Sequence, residues 1–273
     1  MVNMKKKKEK FHFTLKHGLL LGIVILYIIL CFFAFQPKND EKELKEPIYM
    51  VFGADHKFSY SDGKLAEDDN WNQIFGTKKF YTYSDGKYLG NYSLMQYDTK
   101  LYLFDDANDS IEYDGVLFAY WAPKKIDVVN TTYVKADSDI ETVLRYLIDG
   151  SDIVIPPLEQ MWMNQKILVD LDGDGKDEAV YAINSMGSED NYQKFSFLCY
   201  EDNGEFYRII SSNSTNNSHQ ITHYYSIAQI MDLDNDNQKE LIVRDIQYGT
   251  AAVERYHIYK KKGDNYQLIT SET

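Results

Sequence analysis

Cysteine is almost missing from this 273-residue chain. Cys31 and Cys199 are the two it has, and Cys31 falls inside an uncharged apolar run, so no intrachain disulfide can brace whatever folds beyond that run. A disulfide-built secreted fold is excluded, and a Gram-positive cell surface fits better than an animal one. Positive charge is also in short supply: beyond residue 17 the chain carries 23 basic against 41 acidic residues, a net charge of −18. Such a surface repels nucleic acid and anionic headgroups, and divalent cations relieve part of its self-repulsion. Nucleic acid is not expected as a partner. No G-x-S-x-G elbow, P-loop or dinucleotide fingerprint occurs, so nothing in the chain points to those chemistries.

The amino terminus is different in kind from the rest. Lys5, Lys6, Lys7, Lys8, Lys10 and Lys16 precede Gly18 to Phe35, eighteen residues without a charge. That length sits at the lower limit for a bilayer-spanning helix and exceeds a signal-peptide core. The run ends on bulky residues (Phe32-Phe33-Ala34-Phe35-Gln36) where a cleavage site needs small ones, and Ile28-Ile29-Leu30 lacks the small residue that precedes a lipidated cysteine. An uncleaved anchor is the reading, with cleavage or lipidation as the alternatives. Lysines collect on the cytoplasmic side, so residues 1–17 are expected inside, 18–35 across the membrane, and the remainder outside. Residues 36–47, charged and bounded by Pro37 and Pro47, read as a stalk.

From Ile48 onward the pattern is β-rich. Asp62-Gly63 and Asp85-Gly86 follow aromatic alternation, a hairpin signal because both central turn residues take positive φ. Further strands are expected at 93–97, 100–104, 116–121 and 126–134. One helix stands out near 138–149: Asp137 or Ser138 can cap it, Ile140, Val143, Leu144, Leu147 and Ile148 recur at helical spacing, and Gly150 stops it.

After Pro156-Pro157 the text repeats. Asp170-Leu171-Asp172-Gly173-Asp174-Gly175-Lys176-Asp177-Glu178 returns sixty-two residues later as Asp232-Leu233-Asp234-Asn235-Asp236-Asn237-Gln238-Lys239-Glu240, each time between apolar, β-prone segments. Carboxylates at positions 1, 3, 5 and 9 of a tight loop aim hard oxygen donors at one point, and their repulsion is relieved when a cation sits there. The match continues past the loops, giving two units of about sixty residues and four short strands each, the size of a propeller blade.

Residues 157–270 thereby resemble the FG-GAP and VCBS repeats, the blade-like units of integrin-α-type β-propellers, whose calcium loop runs D-x-D-x-D-G-x-x-D/E. The resemblance implies Ca2+ bound by Asp170, Asp172, Asp174 and Glu178 with the carbonyl of Lys176, and by Asp232, Asp234, Asp236 and Glu240 with the carbonyl of Gln238. Asn237 stands where the first loop has Gly175; asparagine is the non-glycine residue that best tolerates a left-handed backbone, which implies a somewhat weaker second site. The rival is the EF-hand loop. Against it, the twelfth residues are Tyr181 and Val243, where an EF-hand needs a bidentate Glu, and the flanks are β-branched and aromatic. Two repeats are too few to close a propeller. Residues 48–155 are therefore read either as two degenerate blades or as a separate β subdomain covering the repeats' open edges.

Other features carry less chemistry. His219 and His223 have the i, i+4 spacing of a zinc helix, but Gln220 stands where a metalloprotease has its Glu, and a polar connection is the better reading. Tyr224, Tyr225 and Trp162 raise the thought of a sugar-binding surface, against which core packing is the simpler account. The sequence thus leads to an all-β, propeller-blade-like repeat domain (156–273), a preceding β-rich subdomain (48–155) and a transmembrane anchor. The expected function is non-enzymatic recognition of a protein or glycan at the cell surface, with structural calcium. A surface hydrolase on the same scaffold, or an accessory subunit of a membrane complex, are the alternatives.

Overall fold

The computed structural model describes residues 46–67, 71–84, 86–107, 109–113, 117–185, 194–214, 222–248, 253–263 and 265–269. The basic segment, the run 18–35 and most of the stalk lie outside the described residues. Among those described, no helix is long and apolar enough to cross a membrane.

The chain is all-β, built from antiparallel sheets with two short helices. Strands β1 (Ile48–Phe52), β2 (His56–Ser61), β3 (Lys64–Glu67), β4 (Lys79–Ser84), β5 (Lys87–Tyr97), β6 (Lys100–Phe104), β7 (Ser110–Tyr113) and β8 (Leu117–Trp121) form one eight-stranded sheet, in the order β3-β2-β1-β8-β4-β5-β6-β7. Residues 48–121 therefore make a single sheet rather than two degenerate blades. The Asp62-Gly63 turn joins β2 to β3 with both residues at positive φ, 50° and 77°. Helix α1 (Trp71–Phe75) buries Trp71 and Phe75 against Phe80, Leu94, Leu101 and Leu103 on one face of this sheet.

Each repeat folds as a four-stranded meander in chain order. The first holds β9 (Gln165–Val169), β10 (Glu178–Ser185), β11 (Lys194–Asp202) and β12 (Glu205–Ser214). The second holds β13 (Thr222–Met231), β14 (Glu240–Tyr248), β15 (Val253–Lys262) and β16 (Asn265–Leu268). The described residues form no closed propeller.

Packing arranges these pieces in layers. Leu171, Val180, Leu198 and Tyr200 of the first repeat meet Ile227, Ile230, Leu241 and Val243 of the second. The second repeat's other face, with Met231, Ile242 and Ile258, meets Met50, Phe58, Phe118 and Tyr120 of the eight-stranded sheet. Helix α2 (Ser138–Leu147) covers the first repeat's outer face, seating Ile140, Leu144 and Leu147 on Tyr181, Ile183, Phe195 and Phe197. The repeats are thus covered on their faces, while along their edges Thr131 Oγ1 donates to Ala228 O of β13 and Val134 bridges Asn164 beside β9. All eight residues of β10 are buried, as a sheet covered on both sides requires, and its sequence shows no alternation for that reason.

One expectation is narrowed and another changes. Asp137 is the cap of α2, its side chain accepting from the backbone N–H of Asp139 and Ile140. Residues 126–134 form no strand beyond an isolated bridge from Val134 to Asn164. The apolar residues of this segment are instead used by the layers: Ile126 and Val128 pack into the cluster under the large sheet, and Val129 into the cluster between the repeats.

Candidate metal centre

Both acidic stretches link neighbouring antiparallel strands, β9 to β10 and β13 to β14, with Val169 opposite Glu178 and Met231 opposite Glu240. This β setting is not that of an EF-hand, whose loop lies between helices. In the first loop the carboxylates of Asp170, Asp172 and Glu178 converge, each offering an oxygen within 4.8 Å of the others. Asp232, Asp234 and Glu240 do the same in the second. Asp174 and Asp236 are not part of these tight clusters. Lys176 and Gln238 join their loops through the backbone N–H, which donates to Asp174 Oδ1 at 2.8 Å and to Asp236 Oδ1 at 2.9 Å.

The repeat extends to individual hydrogen bonds. Glu178 Oε2 accepts from the Leu171 N–H at 2.7 Å, and Glu240 Oε2 from the Leu233 N–H at 2.7 Å. Asp170 Oδ2 accepts from Gly175 N–H at 3.1 Å, and Asp232 Oδ2 from Asn237 N–H at 3.0 Å. The chain must turn tightly to make these bonds, and it does so through Gly173 and Gly175 at φ of 78° and 87°, matched by Asn235 and Asn237 at 61° and 69°. Asparagine fills both glycine positions of the second loop.

The loops also touch one another. Lys239 donates its backbone N–H to Leu171 O at 2.8 Å and its ammonium to Asp170 O at 2.7 Å. A Cβ on Gly173 would stand 2.8 Å from the Asn237 carbonyl oxygen, so glycine is required there by the neighbouring loop as well as by its own φ.

Two lysines from β15 enter this acidic region from adjacent positions. Lys260 Nζ lies 2.6 Å from Asp234, 2.8 Å from Asp236 and 2.9 Å from Glu240. Lys261 Nζ lies 2.8 Å from Asp172 and 3.8 Å from Asp202. Neither lysine was singled out from the sequence; the signal was cross-strand register, which is set only once the sheet is known. Burial pushes the Glu178 carboxyl up, and burial pushes that of Glu240 up to about 7. Lys261 holds Asp172 below the usual carboxylate range, and Lys260 does so for Asp236 against the opposing effect of burial.

These donors suit a hard divalent cation. They are carboxylate oxygens at short mutual range, and each cluster includes a buried glutamate, Glu178 or Glu240. Calcium is compatible with such a set. Asp170, Asp172 and Glu178 would hold it in the first loop.

The remaining candidates resolve differently. His223 stands on strand β13 with Nδ1 2.9 Å from Asp245, which also has His257 at 3.5 Å; the helical zinc spacing does not form, and His219 lies outside the described residues. Tyr224 and Tyr225 are buried, which removes them from a sugar-binding surface. Cys199 is buried in β11, and burial pushes its thiol up to about 12, away from nucleophilic use. No family model, curated protein or solved structure matches the chain.

Proposed function

We propose that this protein is a membrane-anchored, extracytoplasmic recognition module whose two blade-like repeats, akin to FG-GAP and VCBS units, are braced by structural calcium. The observation that carries the reading is the convergence of Asp170, Asp172 and Glu178 at a strand junction, repeated with the same Glu-to-backbone bond by Asp232, Asp234 and Glu240. Like charges at this range repel, and a divalent ion turns that repulsion into attraction. The anchor rests on the lysine cluster and the uncharged run at 18–35, and an external, millimolar-calcium setting follows from that orientation. A role in recognition, of a protein or glycan, is supported by one face of β5 in the large sheet, where Met95 and Tyr97 are more than half exposed at 51% and 73%.

Extracellular sites of this type bind with Kd on the order of 10⁻⁴ to 10⁻³ M, so each ion bound at millimolar calcium adds about 0.5–1.5 kcal/mol. The full chain in detergent should melt a few degrees lower in chelator than in calcium, and Asp170→Ala should shrink that difference. A melting temperature indifferent to calcium and chelator in the wild type would overturn structural calcium.

A further inference from the structure

The two loops share their Glu-to-backbone bond and their position-6 bond, yet one cross-strand position carries opposite charge. In the first repeat Ala179 pairs with Glu201, so one step further Glu178 faces Asp202. In the second, Leu241 pairs with Tyr259, and one step further Glu240 faces Lys260. The same place beside the loop is thus an acid in one repeat and a base in the other.

From this we infer that the second loop is closed by its own lysine: the Lys260 ammonium sits against Asp234 and Glu240, which with Asp232 are the three carboxylates that would hold a divalent ion, and against Asp236, and calcium is bound by the first loop alone. The inference rests on the calcium reading for the first loop and goes beyond it by dividing the two sites. Three ion-pair distances of 2.6, 2.8 and 2.9 Å place one ammonium against Asp234, Asp236 and Glu240. The fully buried Glu240 has the Lys260 ammonium 2.9 Å from its Oε1 as counter-charge, where a metal ion would otherwise balance it. In the first loop Lys261 pairs with Asp172 and Asp202 rather than with Asp170 or Glu178, and the exposed Lys176 pairs outward with Asp174. Of that loop's three converging carboxylates Asp172 has an ammonium partner, while Asp170 and Glu178 make no ion pair among the described residues.

A calcium ion needs its oxygens at about 2.3–2.6 Å. It cannot share Asp234 and Glu240 with an ammonium already in hydrogen-bonding range, so Lys260 must leave before a metal enters. The second loop then stays folded without metal and presents Lys239 and Asn237 to the first, whose order alone depends on the ion.

Calcium titration of the full chain by calorimetry counts the sites. One ion per chain is expected for the wild type, and two for Lys260→Met, which keeps the aliphatic stem and removes the charge. Adding Asp232→Asn to Lys260→Met should return the count to one, locating the gained ion in the second loop. Two wild-type ions with affinities within about ten-fold would overturn the lysine closure while leaving the calcium reading intact. One wild-type ion that is lost in Asp170→Ala, with no gain in a Lys260→Met chain of native circular dichroism, would also overturn it. No ion in the wild type but one in Lys260→Met would sink the calcium reading of the first loop and uphold the closure; none in either would sink both.

Discussion

The two repeats share their acidic loop and a meander of four strands, but they live in different surroundings. The first is covered by a single amphipathic helix, the second by a large sheet drawn from the other end of the domain. The first loop is built on glycine and faces Asp202; the second is built on asparagine and faces Lys260. A loop motif therefore defines a scaffold for oxygen donors, while the residue across the strand decides what charge the scaffold has to accept.

The largest test of that contrast removes the two covers. Leu144→Ala strips the helix from the first repeat, and Met50→Ala thins the sheet over the second; both side chains are fully buried. Each should cost about 2–5 kcal/mol in urea unfolding, from lost burial plus a residual cavity. A loss under about 1 kcal/mol at either position would mean that its face is not tightly packed.

A smaller effect separates the loops themselves. Gly173→Ala introduces a Cβ into the Asn237 carbonyl at a positive φ and should cost about 1–3 kcal/mol. Asn235→Gly, at the equivalent position of the second loop, relieves a left-handed residue and should change stability by under about 1 kcal/mol. Equal effects at the two sites would erase the distinction drawn here between a glycine demanded by a neighbour and an asparagine tolerated by its own turn.

The smallest expected effect concerns how the second repeat is held to its cover. Arg244 donates to Glu254 at 2.5 Å, Tyr256 donates to the same carboxylate at 2.5 Å, and His56 of β2 lies 3.6 Å from it. Burial pushes the Glu254 carboxyl up, but these hydrogen bonds outweigh it and hold the group below its ordinary value. A depressed carboxyl contributes stability above its unfolded value, and that contribution fades as pH falls through the folded one. Glu254→Gln should therefore flatten the acid limb of a stability–pH curve without moving its neutral plateau by as much as the cover substitutions. The first repeat's helix cover carries a more exposed ion pair, Asp139 of α2 with Lys166 of β9 at 2.5 Å, and an unchanged acid limb in Glu254→Gln would remove the contrast.

Much of the site was legible in the chain. The nine-residue acidic repeat, its spacing and its β-prone flanks identify the converging residues Asp170, Asp172 and Glu178 and their counterparts, because donor spacing within a short loop is a local property. Asp174 and Asp236 fall outside the tight clusters, since their carboxylates turn to the N–H two residues on and to lysines. Helix α2 and its Asp137 cap were legible for the same local reason, as was the Asp62-Gly63 hairpin. The extended segment at 126–134 was misread as a strand because period and burial look alike in a strand and in a chain threading between layers.

By itself the sequence determined the α2 helix with its cap, the Asp62-Gly63 turn and the acidic loops, all of which depend on neighbours a few residues away. Tertiary structure alone decided that the amino-terminal sheet packs on the second repeat and leaves the first to α2. It alone decided that Lys260 faces Glu240 while Asp202 faces Glu178. Those outcomes depend on sheet register and face-to-face burial between segments up to about two hundred residues apart, which no local pattern encodes.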